Sequence, residues 1–270
     1  MKSLRRITTV ALVIALVAIP TAALALDEAT TPITETDRAE AERATTGERP
    51  EHDLSEIKAR ALERIDKQLE ALERLRSKIA KSRHITDDHA TQLLRDISTA
   101  ADGLSELARK IEAATTVEEL RQLIEHIDDY KIGQVLAPKT SQVIGSDSLV
   151  YATGKLERFS AKLSEITARF EEAGFDVDEA WRLLEKMDAN IAEGYRLASP
   201  VAGNVIGLQA ADWPDPAESM LSAGRADLRA AGSSVKAAHG DGVDVVHFLR
   251  GLLEGSDPAF DIARTDPATG

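Results

Sequence analysis

Two short stretches contain the residue types that could do chemistry: "HITDDH" at residues 84–89 and "EHIDDY" at 125–130. Histidine and carboxylate side chains bind zinc and act as general acids or bases. A zinc site needs three or four donors that converge on one point. On the helix predicted in the first stretch, Asp88 is adjacent to His89, so their side chains diverge, and His84 precedes the turn. Helix capping and contact with water therefore explain these residues better than metal binding does.

The second stretch has the same weakness as a site. Glu125 and Asp129 share one face of a helix, with His126 and Asp128 beside them. Acids at this spacing are typical of a solvated acidic face, whereas paired-carboxylate catalysis needs two acids in an apolar pocket. The sequence identifies no such pocket.

Catalytic motifs are also missing. The chain has no G-x-S-x-G, H-E-x-x-H or G-x-G-x-x-G motif and no phosphate-binding loop. His247 lies beside a heptad seam, where packing or contact with water is the simpler role. We therefore predict no catalytic, cofactor-binding or metal-binding residue, no cofactor and no enzymatic activity.

Composition excludes further classes. The chain contains no cysteine, so it forms no disulfide, thiolate metal site or thiol nucleophile. Its formal net charge is -13, and residues 1–25 carry three basic residues, Lys2, Arg5 and Arg6, and no acidic one. Without that segment the chain has 30 basic and 46 acidic residues, a net charge of -16. Such a surface repels phosphate backbones, so nucleic acid is not expected as a partner.

Residues 1–25 are predicted to be a signal peptide, because the three basic residues precede the apolar run "ITTVALVIALVAI". Ala23-Leu24-Ala25 supplies the small residues that a signal peptidase recognises, which favours cleavage before Leu26, with a cut after Ala23 as the alternative. An uncleaved anchor is the second interpretation, since Ile7 to Leu26 is long enough to span a bilayer. We expect a secreted or extracytoplasmic protein of the periplasm or cell envelope, attached to a membrane only if this segment is retained.

Three further segments follow. Residues 26–50 are rich in Thr, Glu and Ala and are predicted to be a disordered tether. Residues 51–254 are predicted to form a helical bundle domain, and residues 255–270 a disordered tail. Aromatic residues make up only 4 % of the chain, which favours close helix packing over a β-sandwich.

Helical periodicity runs along most of the domain. An apolar residue recurs about every 3.6 positions, which predicts helices with one buried stripe each. In the first two helices these residues are Leu54, Ile57, Ala61, Ile65, Leu69, Leu72, Leu75 and Ile79, then Leu93, Leu94, Ile97, Ala101, Leu104, Ala108 and Ile111.

Capping residues predict where helices begin and end. Thr86 is a plausible N-cap, and Thr116 with Glu119 forms a capping box for the next helix. Pro138 is predicted to end that helix. Gly174 is predicted as a C-terminal cap.

A new helix is predicted after Gly174, where Asp176 and Glu179 form a second capping box. Its core stripe is predicted to contain Val177, Trp181, Leu184, Met187, Ile191 and Tyr195. Trp181 and Tyr195 could alternatively line a small apolar cavity.

Two seams have heptad spacing. One comprises Ala152, Leu156, Phe159, Leu163, Ile166 and Phe170. The other comprises Leu221, Gly224, Leu228, Ala231, Val235, Ala238, Gly242, Val245, Leu249 and Leu252. Because the second seam keeps its phase through Gly240 and Gly242, we predict one unbroken helix of about 35 residues, whose small residues let a neighbour come close.

The stretch "DDYKIGQVLAPKT" at residues 128–140 and the stretch "GRADLRAAGSSVKAAHGDGVDVVHFLRGL" near the end resemble a group of uncharacterised exported all-helical bacterial proteins. The resemblance covers about residues 53–253. That group has no established activity, so the resemblance implies an all-helical fold and export only.

These observations predict an all-α fold: an elongated antiparallel helical bundle with coiled-coil-like hairpins and disordered tails. The function that follows is a non-catalytic extracytoplasmic interaction or spacer protein of the cell envelope, with an unknown protein or envelope partner. The alternative is a binding module for a small apolar ligand in the bundle core, near Trp181 or Phe159. A metal-dependent enzyme is a distant third hypothesis.

Overall fold

The computed structural model describes residues 50–254, and this part of the chain is all-α, as predicted, with no β-strand. Its α-helices are α1 (Pro50–Lys81), α2 (Asp87–Ala113), α3 (Val117–Glu125), α4 (Ala137–Glu172), α5 (Asp178–Val205) and α6 (Ala217–Glu254). The predicted signal peptide, the tail and the tether, apart from its last residue, lie outside the described residues.

The connection from α3 to α4 is itself helical. A 3-10 helix (His126–Tyr130) and a π-helix (Ile132–Leu136) follow α3 and lead into α4. Between them Lys131 takes a left-handed conformation with φ of 44°, which redirects the chain.

The prediction that Pro138 ends a helix is wrong. The preceding α-helix already ends at Glu125, and Pro138 lies in the first turn of α4. There the missing N–H of proline costs little, because the first N–H groups of a helix have no acceptor within it.

The predicted N-caps of α2 and α3 are confirmed. The Thr86 hydroxyl accepts a hydrogen bond from the backbone N–H of His89 at 3.3 Å, and the Thr116 hydroxyl accepts one from Glu119 at 3.2 Å. The Glu119 carboxylate accepts from the backbone N–H of Thr115 at 3.0 Å, one residue before the cap. α1 and α2 follow each other along the chain, separated only by residues 82–86, and form the first hairpin.

The second hairpin joins α4 to α5, and Gly174 ends α4 as predicted, with φ of 89°. The backbone N–H of Gly174 donates to Glu171 O at 2.8 Å, and that of Phe175 donates to Phe170 O at 3.1 Å. These two bonds satisfy carbonyls at the helix end, and the rings of Phe170 and Phe175 pack with centroids 5.3 Å apart.

The capping box predicted for α5 is wrong. The N-cap is Val177, which has no side chain able to cap, and Asp176 accepts instead from the backbone N–H of Asp178 at 3.3 Å. Glu179 lies in the first turn and binds the guanidinium of Arg182 at 2.5 and 2.7 Å. The helix begins later than the box required, so the two acids do not face each other.

α4, α5 and α6 form a three-helix bundle. Gly145 of α4 contacts Leu228 of α6, and Phe159 lies against Gly242, so α4 and α6 run parallel with α5 antiparallel to both. α6 is one helix of 38 residues, about 57 Å long at 1.5 Å per residue, which confirms the unbroken helix. Its predicted seam from Leu221 to Leu249 is buried.

The stripe predicted along α5 needs one correction. Tyr195 is 49 % exposed, so its placement in the core is wrong. The neighbouring Gly194 takes the buried position, where a Cβ atom would lie 3.1 Å from Val235. Trp181 is half-buried and donates its Nε1–H to the Glu171 carboxylate at 3.1 Å.

A second apolar core lies at the other end of α4. α1, α2, α3, the π-helix and the adjoining ends of α4, α5 and α6 enclose it. The two cores adjoin along α4, between Val143 and Leu149. α4, α5 and α6 therefore each contribute to both cores.

Candidate functional site

The first half of α4 is rich in polar residues, yet no residue from 135 to 150 is exposed. A helix surrounded on all sides normally carries apolar residues throughout. We call five polar residues of this segment the polar hub: Lys139, Ser141, Gln142, Ser146 and Asp147. Because a buried polar group is costly without a partner, the bonds of the hub determine what it does.

Lys139 is only 1 % exposed, and its ammonium group bridges two elements. Nζ donates to Asp96 Oδ2 of α2 at 2.6 Å and to the carbonyl of Leu208, after α5, at 2.8 Å. The carboxylate and the carbonyl offset the cost of removing the charge from water. The ion pair thereby fixes α2 against α4.

Asp147 joins the first hairpin to α4. It is 9 % exposed and accepts hydrogen bonds from the backbone N–H of Thr86 at 2.9 Å and from His89 Nδ1 at 2.9 Å. One helical turn further, the ring of Tyr151 stacks on His84 with centroids 3.8 Å apart.

The sequence suggested that the histidines of the first stretch are in contact with water, but the structure places both of them against α4. Both His84 and His89 are half-buried, and each contacts α4. His89 and Asp147 form a pair that joins two helices. The partner of His89 comes from another helix and is not the adjacent Asp88.

The remaining hub residues reach α1, α5 and α6. Ser141 accepts from Lys78 Nζ of α1 at 3.0 Å, and Gln142 donates to the carbonyl of Leu221 in α6 at 2.7 Å. With the bonds of Lys139 and Asp147 to α2, the hub contacts each of the other long helices. Only the carboxamide oxygen of Gln142 lacks a hydrogen bond in the hub.

Ser146 of α4 bonds to the backbone of α5 at an unusual place. Its hydroxyl donates to the carbonyl of Ala198 at 2.8 Å and accepts from the N–H of Ala202 at 3.3 Å. In a regular helix these two backbone groups bond to each other. Pro200 lies between them, so Ser146 reaches the α5 backbone where a proline already interrupts its hydrogen bonding.

The three-helix bundle contains a third buried charge. Asp241 of α6 is 3 % exposed and accepts from Lys186 Nζ at 2.7 Å and from Asn190 Nδ2 at 2.8 Å, both on α5. In residues 50–254, no group of three or more His, Asp and Glu side chains is placed to hold a metal ion. Lys139, Asp147 and Asp241 are each paired with a side chain of another helix instead.

The second histidine stretch lines an open hollow of about 280 Å³ between α2 and α3. The lining residues are Gly103, Glu106, Leu107, Lys110, Leu123, His126, Asp129 and Tyr130. The ring of Tyr130 packs against Gly103, where a Cβ atom would collide with it. Partial burial, and secondarily the charge of Asp129, raise the pKa of Tyr130 above its usual value.

The helical spacing predicted for Glu125 and Asp129 is wrong, because α3 ends at Glu125 and the chain continues as a 3-10 helix. Asp129 pairs with His126 at 2.7 Å, and Asp128 pairs with Arg64 of α1 at 2.5 Å. Asp128 and Asp129 therefore each have a partner of their own, and the two carboxylates do not act as a pair.

No protein-family model matches the chain, and neither does any curated protein sequence or solved structure. Within residues 50–254, no helix combines the length and the apolar content needed to cross a bilayer.

Proposed function

We propose that this chain is a non-catalytic helical interaction or spacer protein of the cell envelope, acting outside the cytoplasm. The observation that supports this proposal is that buried charged side chains connect different helices. In the described residues, the buried charged side chains are Lys139, Asp147 and Asp241, and each is paired with a residue of another helix.

Such pairs specify arrangement more than they add stability. Apolar seams alone allow neighbouring helices to slide or rotate, whereas a buried ion pair is satisfied in one register only. The polar hub fixes α1, α2, α5 and α6 around α4. A domain held in this way presents its outer faces at constant spacing, which is what a spacer or docking platform requires.

The location rests on residues 1–25. The basic residues at the start, the apolar run and Ala23-Leu24-Ala25 support export and cleavage before Leu26. Mass spectrometry of the exported product tests this. A start at Leu26 or Leu24 supports a released protein, whereas an intact Met1 in washed membranes would make the chain a tethered spacer.

Site-specific photocrosslinking in the native envelope tests the interaction role. A photoreactive amino acid at Leu94 or Tyr195, which are 36 % and 49 % exposed, should give a discrete adduct with a partner protein. The same amino acid at buried Leu163 is the matched control and should give none. No adduct at either exposed position, together with a small apolar molecule retained by the purified protein, would favour the ligand-binding alternative instead.

A further inference from the structure

The groove between α4 and α6 has a definite position on the three-helix bundle. On α6, Asp241 bonds to α5, Gly242 lies against Phe159 of α4, and Val243 follows another 100° around the helix. Val243 therefore lies at the outer edge of the contact with α4. Any residue in line with Val243 forms the α6 wall of this groove.

That wall is cationic. Arg225, Arg229, Lys236 and Arg250 follow at steps of 4, 7 and 14 residues, which places them within an arc of about 60° that includes Val243. All four side chains are exposed. From the first to the last, the line is about 38 Å long at 1.5 Å per residue.

The α4 wall is cationic as well. Ser160 bonds to Asp188 of α5, and the preceding residue, Phe159, contacts α6. Continuing in the same direction around the helix reaches Lys155 and Lys162, one turn before and after Phe159 and both exposed. Lys155 also lies over the ring of Tyr151, with Nζ 5.4 Å from its centroid.

In the described part of the chain, none of these six cations forms an ion pair. Most other surface cations of the domain are paired within their own helix, such as Arg182 with Glu179. On the α6 line the first acids are Glu218 and Glu254, beyond either end of the cationic stretch. The groove is thus a positive strip on a strongly acidic protein.

The floor of the groove is apolar and incompletely covered. Ala152, Phe159 and Ile166 of α4 are half-buried at intervals of seven residues, and Val246 of α6, on the α4 side of the wall, is half-buried opposite them. A ligand that fits must therefore combine apolar groups in the middle with negative charge on both sides.

We propose that this groove, the cationic groove, binds an acidic amphipathic helix of a partner protein. The occupant would lay a narrow apolar stripe on the floor and direct Glu or Asp towards both walls. A helix of about 25 residues spans the 38 Å line. This inference rests on the proposed interaction role and names the kind of partner.

Charge and shape favour this occupant over two others. If two copies of the chain paired through their grooves, cationic walls would face cationic walls and repel each other. A flat anionic membrane surface would contact the exposed cations but would leave the half-buried apolar residues between them without a partner. Self-association of the chain and binding to an anionic membrane are each measured in the experiments that follow.

Fluorescence anisotropy of the whole chain with synthetic peptides tests the proposal. The probe is a labelled helical peptide of about 25 residues with Leu and Ala at the a and d positions and Glu at e and g. We expect it to bind, with affinity falling as salt is added. Matched probes carry Gln at e and g, or consist of poly-glutamate, and should bind at least about 10-fold more weakly, since each lacks one of the two interactions.

Charge reversal locates the site. The double variant Lys162→Glu/Lys236→Glu changes one residue in each wall and should weaken binding at least about 10-fold. The control variant Lys81→Glu/Arg95→Glu makes the same change in net charge at exposed cations of α1 and α2 and should have less than about a 2-fold effect. Circular dichroism establishes that both variants are folded.

Four results would overturn the proposal. They are an acidic peptide that fails to bind or is insensitive to the groove variant, equal binding of the Gln or poly-glutamate probe, binding of phosphatidylglycerol vesicles in place of the peptide, and a dimer in sedimentation that the groove variant dissociates. A crosslinked partner at Leu94 or Tyr195 without peptide binding would leave the interaction role standing and refute the groove as its site.

Discussion

His89 Nδ1 lies 2.9 Å from Asp147 Oδ2, although 58 residues separate them in the chain. The carboxylate is nearly buried, whereas the imidazole is 27 % exposed. Replacing His89 by Ala leaves Asp147 with the backbone N–H of Thr86 as its remaining partner. We expect the free energy of unfolding to fall by about 1–3 kcal/mol, measured by urea denaturation.

The chain contains a matched control for this pair. His126 and Asp129 lie 2.7 Å apart but are 65 % and 64 % exposed. His126→Ala should change the free energy of unfolding by less than about 0.5 kcal/mol, because a hydrogen bond between exposed side chains is readily exchanged for bonds to water. Equal effects of the two substitutions would show that the contact between the first hairpin and α4 is not held by this bond.

Two glycines of α6 separated by one residue should respond to alanine with opposite signs. At Gly240 a Cβ atom meets nothing within 4 Å, so Gly240→Ala should stabilise the helix by about 0.5–1 kcal/mol. At Gly242 a Cβ atom would lie 2.8 Å from Phe159 and 3.1 Å from Met187, and Gly242→Ala should destabilise the domain by about 1 kcal/mol or more. Thermal melts of both variants measure this, and shifts of the same sign would contradict the packing of α4 on α6.

Because Lys139 and Asp96 form an ion pair, substitutions of the two residues should have non-additive effects on the free energy of unfolding. Lys139→Met removes the cation and leaves a carboxylate that is only 17 % exposed, which should cost about 3 kcal/mol. The double variant Lys139→Met/Asp96→Leu should recover most of that loss, since apolar side chains of similar size replace a buried pair at little cost. Chemical denaturation of the single and double variants measures the coupling energy between the two residues. Losses of unfolding free energy that simply add would refute the prediction.

Tyr130 predicts a loss of stability in alkali. Its pKa is raised in the folded chain by partial burial and by Asp129, above a value near 10 in the unfolded chain. The folded state then retains the proton longer, so this contribution is complete below pH 10 and declines as the pH rises through the folded pKa. Absorbance titration of the phenolates in the intact chain and in Tyr130→Phe measures it: the component that the substitution removes should titrate above pH 10.

Local signals in the sequence predicted the helices well. The caps at Thr86, Thr116 and Gly174 depend on neighbouring residues alone, and all three act as predicted. The heptad seam of α6 was also sufficient to predict one unbroken helix, because continuous spacing of apolar and small residues is specific to a continuous helix. Local signals failed at Pro138, since a proline begins a helix as readily as it ends one.

The polar hub was missed for a physical reason. Its segment reads as polar, and a periodicity analysis expects polar residues on the surface. The partners of Lys139 and Asp147 lie on α2, dozens of residues earlier, so no local spacing indicates either pair. One signal was present: residues 137–150 contain only two charged residues, Lys139 and Asp147, whereas a helix with a solvated face carries charged residues along that face.

The enclosed segment from residue 135 to 150 links the two apolar cores physically. Neither core can lose its helices without exposing the same stretch of α4, whose polar groups would then lose their bonds to both sides. The domain should therefore melt in one all-or-none step, with calorimetric and van't Hoff enthalpies that agree. A partner that binds either end would then raise the free energy of unfolding of the whole domain, so that binding at one end also stabilises the other.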